Sequence, residues 1–136
     1  MEIMWHELSD NPKMCEAFFY QSPSLHSIEL HSINFDRNGP SAKISFVLPV
    51  PPQRIPVKLK NGDFNSVFFE ISFFPLCSIE LTDWQENMNV SIELSGQKNS
   101  IVLVVRKQPE KQPCIRLMAR CFRFEKISPY LKQSCK

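Results

Sequence analysis

The chain has 136 residues, 43% apolar and 22% charged, the proportions of a globular domain that builds its own core without covalent staples. No stretch approaches the roughly 18 apolar residues that a membrane helix requires. The net charge of +2 is small but unevenly placed. Three glycines stand against eleven prolines and eleven phenylalanines, a balance that favours strands; the prolines then belong at strand ends, edges and connections, since proline donates no ladder hydrogen bond.

Asp10 or Asn11 is placed to cap a short helix of about residues 12–20, with Pro12 in its first turn and Met14, Ala17 and Phe18 forming one apolar stripe. From Leu25 the period changes to two. Ile28 and Leu30 share one parity and Ile33 and Phe35 the other, so one extra residue near His31–Ser32, a β-bulge, is expected. Asp36 to Pro40 contains Asn-Gly, a hairpin signal, and the return strand turns Ala42, Ile44, Phe46 and Leu48 inward and Lys43 and Ser45 outward. Pro49 to Pro56 reads as an extended connection and Asn61-Gly62-Asp63 as a turn.

Val67, Phe69, Ile71 and Phe73 mark a further strand, Pro75 a tight turn, and Cys77, Ile79 and Leu81 the inward side of another strand ending at Trp84. Met88, Val90, Ile92 and Leu94 alternate in the next strand, followed by a hairpin loop, Gly96 to Asn99. Ile101 to Val105 is an unbroken apolar run, the pattern of a strand covered on both faces. After the polar loop Arg106 to Pro113, a last strand turns Ile115, Leu117 and Ala119 inward, switches parity near Cys121, and continues with Phe122 and Phe124. The expected fold is therefore mainly β: one domain over 1–136, an antiparallel meander of about seven or eight strands between about 25 and 127, either a sandwich or a strongly curled sheet, with one short N-terminal helix.

Charge falls into blocks. Residues 1–36 carry six acids and one base, 37–60 five bases and no acid, 61–96 six acids and no base, and 97–136 ten bases and two acids. Such blocks cancel if neighbouring strands carry opposite signs; otherwise the basic C-terminal third is a docking surface.

The residues offer little chemistry. His26 and His31 are five apart, on opposite faces of a regular strand, with no third metal ligand nearby. The five cysteines are odd in number and include no C-x-x-C pair, and Glu2 and Glu7 stand where a secretory leader is basic, so free thiols in a cytoplasm are expected. Cys77, Cys114 and Cys121 read as buried apolar residues, and Cys135 as the reagent-accessible one. Glu70, Glu80 and Glu93 lie mid-strand on the polar parity, a possible acidic ladder with nothing to suggest the cleft that acid–base catalysis needs. No phosphate-binding glycine loop, nucleophile elbow or dinucleotide fingerprint is present. Parity separates the C-terminal arginines from Phe122 and Phe124, which argues against a stacking platform for single-stranded nucleic acid. No catalytic, cofactor or metal residue is singled out.

Several segments follow one another in order: Pro23-Ser24-Leu25 leading into L-x-x-I-x-L-x-x-I-x-F, Arg37-Asn38-Gly39-Pro40, Val47-Leu48-Pro49 and its proline-rich extension, Phe64 to Val67, Leu76 to Leu81 ending at Trp84, and Phe124 to Tyr130. In that order, from about Trp5 to Tyr130, the chain resembles the immunity protein 50 family of bacterial polymorphic toxin systems. The resemblance implies a cytoplasmic, non-enzymatic antidote that binds a cognate protein toxin, with no membrane partner. The chain departs from many immunity proteins in its basic C-terminal third, which does not fit nucleic-acid mimicry. Candidate docking residues are Glu70, Glu80 and Glu93 on an acidic face and Arg116, Arg120 and Arg123 on a basic one. An interaction module with a non-toxic partner is the alternative. A small-ligand barrel would instead hold a central apolar cavity of several hundred Å³.

Overall fold

A computed structural model describes residues 4–21, 23–37, 39–54, 64–82, 89–107 and 113–131. A 3-10 turn, Trp5–Leu8, and a one-turn helix α1, Pro12–Glu16, precede six strands: β1 Ile28–Asp36, β2 Ser41–Leu48, β3 Ser66–Leu81, β4 Asn89–Gln97, β5 Ser100–Lys107 and β6 Pro113–Tyr130. All pairings are antiparallel, in the order β1-β2-β3-β6-β5-β4, and β1 returns to β4 to close a barrel. The expected curled antiparallel sheet is thus present, curled far enough to meet itself. The closing seam is short: Ile28 faces Val90 and Glu29 faces Asn89, with the Ile92 amide donating to the Leu25 carbonyl beside them.

Alternation builds the core as the sequence predicts. Ala42, Ile44, Phe46 and Leu48 of β2, Val67, Phe69, Ile71 and Phe73 of β3, and Ile115, Leu117 and Ala119 of β6 are all buried. On β5, Ile101, Leu103 and Val105 are buried but Val102 and Val104 only half-buried, so among the described residues the strand is not covered on both faces as its unbroken apolar run suggested. A bulge falls between Leu30 and Ser32, leaving His31 as the unpaired extra residue. Gly39, at φ +71°, supports the β1–β2 hairpin. The parity switch on β6 is present too, for Ala119 and Phe122 are both buried.

Pro75 is not a turn. β3 runs through it for 16 residues against the 18 of β6, so six strands stand where the sequence suggested seven or eight. On β3, Phe73 and Leu76 both pack on the core, opposite Phe122 and Ala119 of β6. Both strands change parity together here, so proline interrupts an already irregular stretch rather than a regular ladder. One step later Cys77 is the extra residue of a bulge, between Leu76 and Ser78. It is therefore exposed, not inward as its parity suggested. The hairpin between β4 and β5 is also tighter than expected, since β4 reaches Gln97, which pairs with Ser100.

The N-terminal segment covers one end of the barrel. α1 stops at Glu16, short of the expected residue 20, and Cys15, Phe18 and Phe19 are buried while Ala17 is exposed. Neither Asp10 nor Asn11 caps α1 through its side chain; both serve β6. β5 pairs with β6 only as far as Ala119, which leaves the β5 side of later β6 residues to be satisfied. The Asp10 amide donates to the Phe122 carbonyl at 2.8 Å. The Asn11 side chain accepts from the Phe124 amide at 2.8 Å and donates to its carbonyl at 2.9 Å, acting as a one-residue partner strand. Trp5 Nε1 donates to the Pro23 carbonyl at 2.9 Å. The start of the proline-rich connection lies against the same segment, with the Arg54 amide donating to the Phe18 carbonyl at 2.8 Å. The expected turn at 61–63, Ile55 and Pro56 of the connection, Asn38, Trp84, Met88 and Cys135 lie outside the described residues.

Candidate partner-binding surface

The barrel interior is occupied by rings. Phe69 stacks on Phe46 at 5.2 Å between centroids and on Phe19 at 6.1 Å, and meets Phe124 at 6.2 Å and Trp5 at 6.5 Å. Phe122 meets Phe73 at 5.6 Å and Phe124 at 5.9 Å. Offset and edge-to-face packing of this kind fills space at crystal-like density. Among the described residues, these side chains take up the space in which a small-ligand barrel would hold its central cavity.

Two walls of the outer surface carry the residues picked out from the sequence. The first spans β1, β2, β3 and the C-terminal half of β6, and holds Glu70 and Arg123. Glu70 lies opposite Ser45 of β2 and Lys126 of β6, and Arg123 opposite Ser72. Its charges are locally matched: Lys43 meets Glu70 at 3.6 Å, Arg123 meets Glu125 at 3.6 Å, and Lys126 lies over the Phe68 ring at 5.8 Å. Ser45 and Ser72, although on the outward parity, are buried; the Ser45 hydroxyl pairs with that of Ser32 at 2.5 Å. An open groove of about 670 Å³ lies at the hairpin end of this wall, lined by Phe35, Asp36, Lys43, Ser72, Phe74 and Glu125 among others.

The second wall spans β4, β5, the N-terminal half of β6 and the end of β3. One row across it reads Glu93, Val104, Arg116, Glu80, and the next Ser95, Val102, Met118, Ser78. At about 4.8 Å between strands and about 6.8 Å between rows, these side chains share one patch. Glu93 accepts from Arg106 Nε at 3.3 Å. Arg120 lies beyond Met118, beside Lys98 and Asn99 at a hollow of about 90 Å³.

No acidic ladder forms, and the six candidate residues do not sort into an acidic face and a basic face. The reason is the strand pairing. The acidic block 61–96 supplies β3 and β4, the basic block 97–136 supplies β5 and β6, and each acidic strand lies against a basic one. Exposed pairs of this sort contribute about 0–1 kcal/mol each, so their main effect is local neutrality.

The thiols and histidines do not converge. Among the described residues no group of three His, Cys, Asp or Glu side chains is arranged to hold a metal ion. Burial pushes the Cys15 thiol up to about 12, with the neighbouring Glu16 carboxylate adding to the effect. The Cys121 thiol is likewise raised, by desolvation and then by Asp10, and it donates to the Phe74 carbonyl at 2.9 Å. Raised values disfavour the nucleophilic thiolate. His6, buried against Glu16 at 3.3 Å, is part of the N-terminal packing, and His31 is exposed beside Glu29 at 3.6 Å. No described helix is long and apolar enough to cross a membrane. The Asp10–Asn11 contact to β6 escaped sequence reasoning, because an asparagine standing in for a strand leaves no periodic signal.

Comparison with known proteins places residues 11–130 within the model of a family described as Immunity protein 50, in line with the resemblance seen in the sequence. That stretch includes Asn11 and all six strands. No curated protein and no solved structure matches the chain.

Proposed function

Because the chain belongs to the immunity protein 50 family, we propose that it is the antidote of a bacterial polymorphic toxin system, a cytoplasmic protein that binds one cognate toxin and blocks it without catalysis. The observation that carries this reading is the family match over residues 11–130. The physical features agree with it. A ring-filled interior leaves an outer surface for recognition, and that surface is built from long paired strands, so little conformational entropy is lost on docking. Patches of alternating charge favour one complementary partner over others and speed the encounter. Two of the thiols, Cys15 and Cys121, have their pKa raised, which suits a binding protein better than a nucleophilic enzyme.

The test is co-expression. The toxin encoded beside this gene is induced in a sensitive bacterial strain with and without the chain. Growth restored by the chain, together with a co-eluting complex in size-exclusion chromatography, is the expected result. Killing that proceeds unchanged, with no complex, would overturn the proposal.

A further inference from the structure

The apolar run on β5 is covered on one side only. Ile101, Leu103 and Val105 are buried in the core, whereas Val102 and Val104, on the outer parity, are only half-buried. The sequence pattern is that of a strand covered on both faces, and the second cover is missing among the described residues. Val102 lies directly beside Met118 of β6, itself 39% exposed. The two valines and the methionine make an apolar centre two strands wide. Arg116 and Arg120 flank Met118 on the same face of β6, both exposed, and neither has a hydrogen-bond or ion-pair partner among the described residues. Glu93 at the edge is already engaged by Arg106.

An apolar centre containing methionine with arginines at its margin is the composition enriched in the cores of protein interfaces. Arg116 faces Glu80 across the β3–β6 pair and Arg120 shares its hollow with Asp10, but neither guanidinium is bridged among the described residues, so both remain open to a partner whose complement is carboxylates flanking an apolar patch. Nucleic acid fits poorly. The centre offers aliphatic side chains where phosphates need donors, and none of these residues is an aromatic on which a base would stack. We propose that the outer face of β4, β5, the first half of β6 and the end of β3 is the docking site for the toxin, entered by an acidic protein surface with an apolar centre. The assignment rests on the immunity reading above and narrows it to one wall of the barrel.

The experiment compares affinities for the toxin encoded by the adjoining gene, inactivated by mutation, using calorimetry on the full chain. Two face variants are made, Arg116→Glu with Arg120→Glu, and Met118→Glu. A third, Arg123→Glu with Lys126→Glu, makes the same charge change as the first on the opposite wall. Both face variants should weaken binding at least about 30-fold, the scale of interface hot spots, with melting curves that still show a cooperative fold. The opposite-wall variant should stay within about threefold, as expected of sites outside an interface. Wild-type affinity in the face variants would overturn the docking site while leaving the immunity reading standing. Equal losses in the opposite-wall variant would also overturn it, as long-range charge alone. Absence of binding by the unaltered chain would overturn the immunity reading itself and the site with it. A parallel titration with a single-stranded RNA 20-mer completes the test, since tight binding abolished by Arg116→Glu with Arg120→Glu would reassign the face to nucleic acid.

Discussion

Asn11 gives the sharpest stability test, because one side chain satisfies both backbone groups of Phe124 from 113 residues away in sequence. Asn11→Ala leaves an amide and a carbonyl without their partner at the point where β5 no longer accompanies β6. Each net hydrogen bond contributes about 0.5–1.5 kcal/mol, and the site is partly buried, so water replaces some of the loss; about 2 kcal/mol is expected. At this chain length each kcal/mol moves Tm by about 3–4 °C, so Asn11→Ala should melt about 6–8 °C below wild type. Asn11→Asp separates the two bonds. Its carboxylate still accepts from the Phe124 amide but faces the Phe124 carbonyl with no proton to donate. Protonation restores the donor, so the folded form holds that proton more tightly than the unfolded chain does. Stability gained this way is present at low pH and lost as pH rises through the folded value, so the Asp deficit should shrink between about pH 6 and pH 4. Thermal melts across that range, with exchange of the Phe124 amide followed by NMR, provide the measurement. An Asn11→Ala protein melting within 1 °C of wild type, with its Phe124 amide equally protected, would refute the reasoning.

The other consequences are simpler to test. Phe69 is fully buried among four other rings, so Phe69→Ala should cost about 3–5 kcal/mol in urea unfolding; a loss under about 1 kcal/mol would mean the interior is not packed as described. Gly96 sits at φ +110°, where a Cβ would collide with the Ser100 carbonyl, so Gly96→Ala should destabilise by at least about 1 kcal/mol, whereas free tolerance would disprove the tight β4–β5 turn. With native protein at pH 8, a thiol reagent should modify Cys77 quickly and leave Cys15 and Cys114 intact until denaturant is added, as peptide mass spectrometry would show. Rapid native labelling of Cys15 would contradict its burial.

What the sequence disclosed followed from periodicity. Alternation on β2 and the first half of β3 picked the buried residues correctly, and the offset between Leu30 and Ile33 located the bulge at His31. Local rules failed where a neighbour decided the outcome. Pro75 reads as a turn in isolation, but the companion parity change on β6 lets β3 pass through it. Cys77 reads as inward by counting from Ile79, but it is the residue a bulge leaves over. Val102 and Val104 read as covered because composition records only that a strand is apolar on both sides, not whether the cover lies in the same chain. Charge blocks were visible, yet only the order β3-β6-β5-β4 shows that acids and bases lie side by side. Which residues share the second wall is a matter of register across four strands, and register between distant strands is not written in any one of them.

Neutralisation by binding has a stoichiometry, and that is the most direct measurement. Purified chain titrated into a fixed amount of active toxin should remove toxin activity linearly and reach baseline at one molar equivalent, with no further change on incubation. Toxin silenced by a small fraction of an equivalent, progressively with time, would reveal turnover and contradict the account. So would full toxin activity in the presence of a large excess of chain.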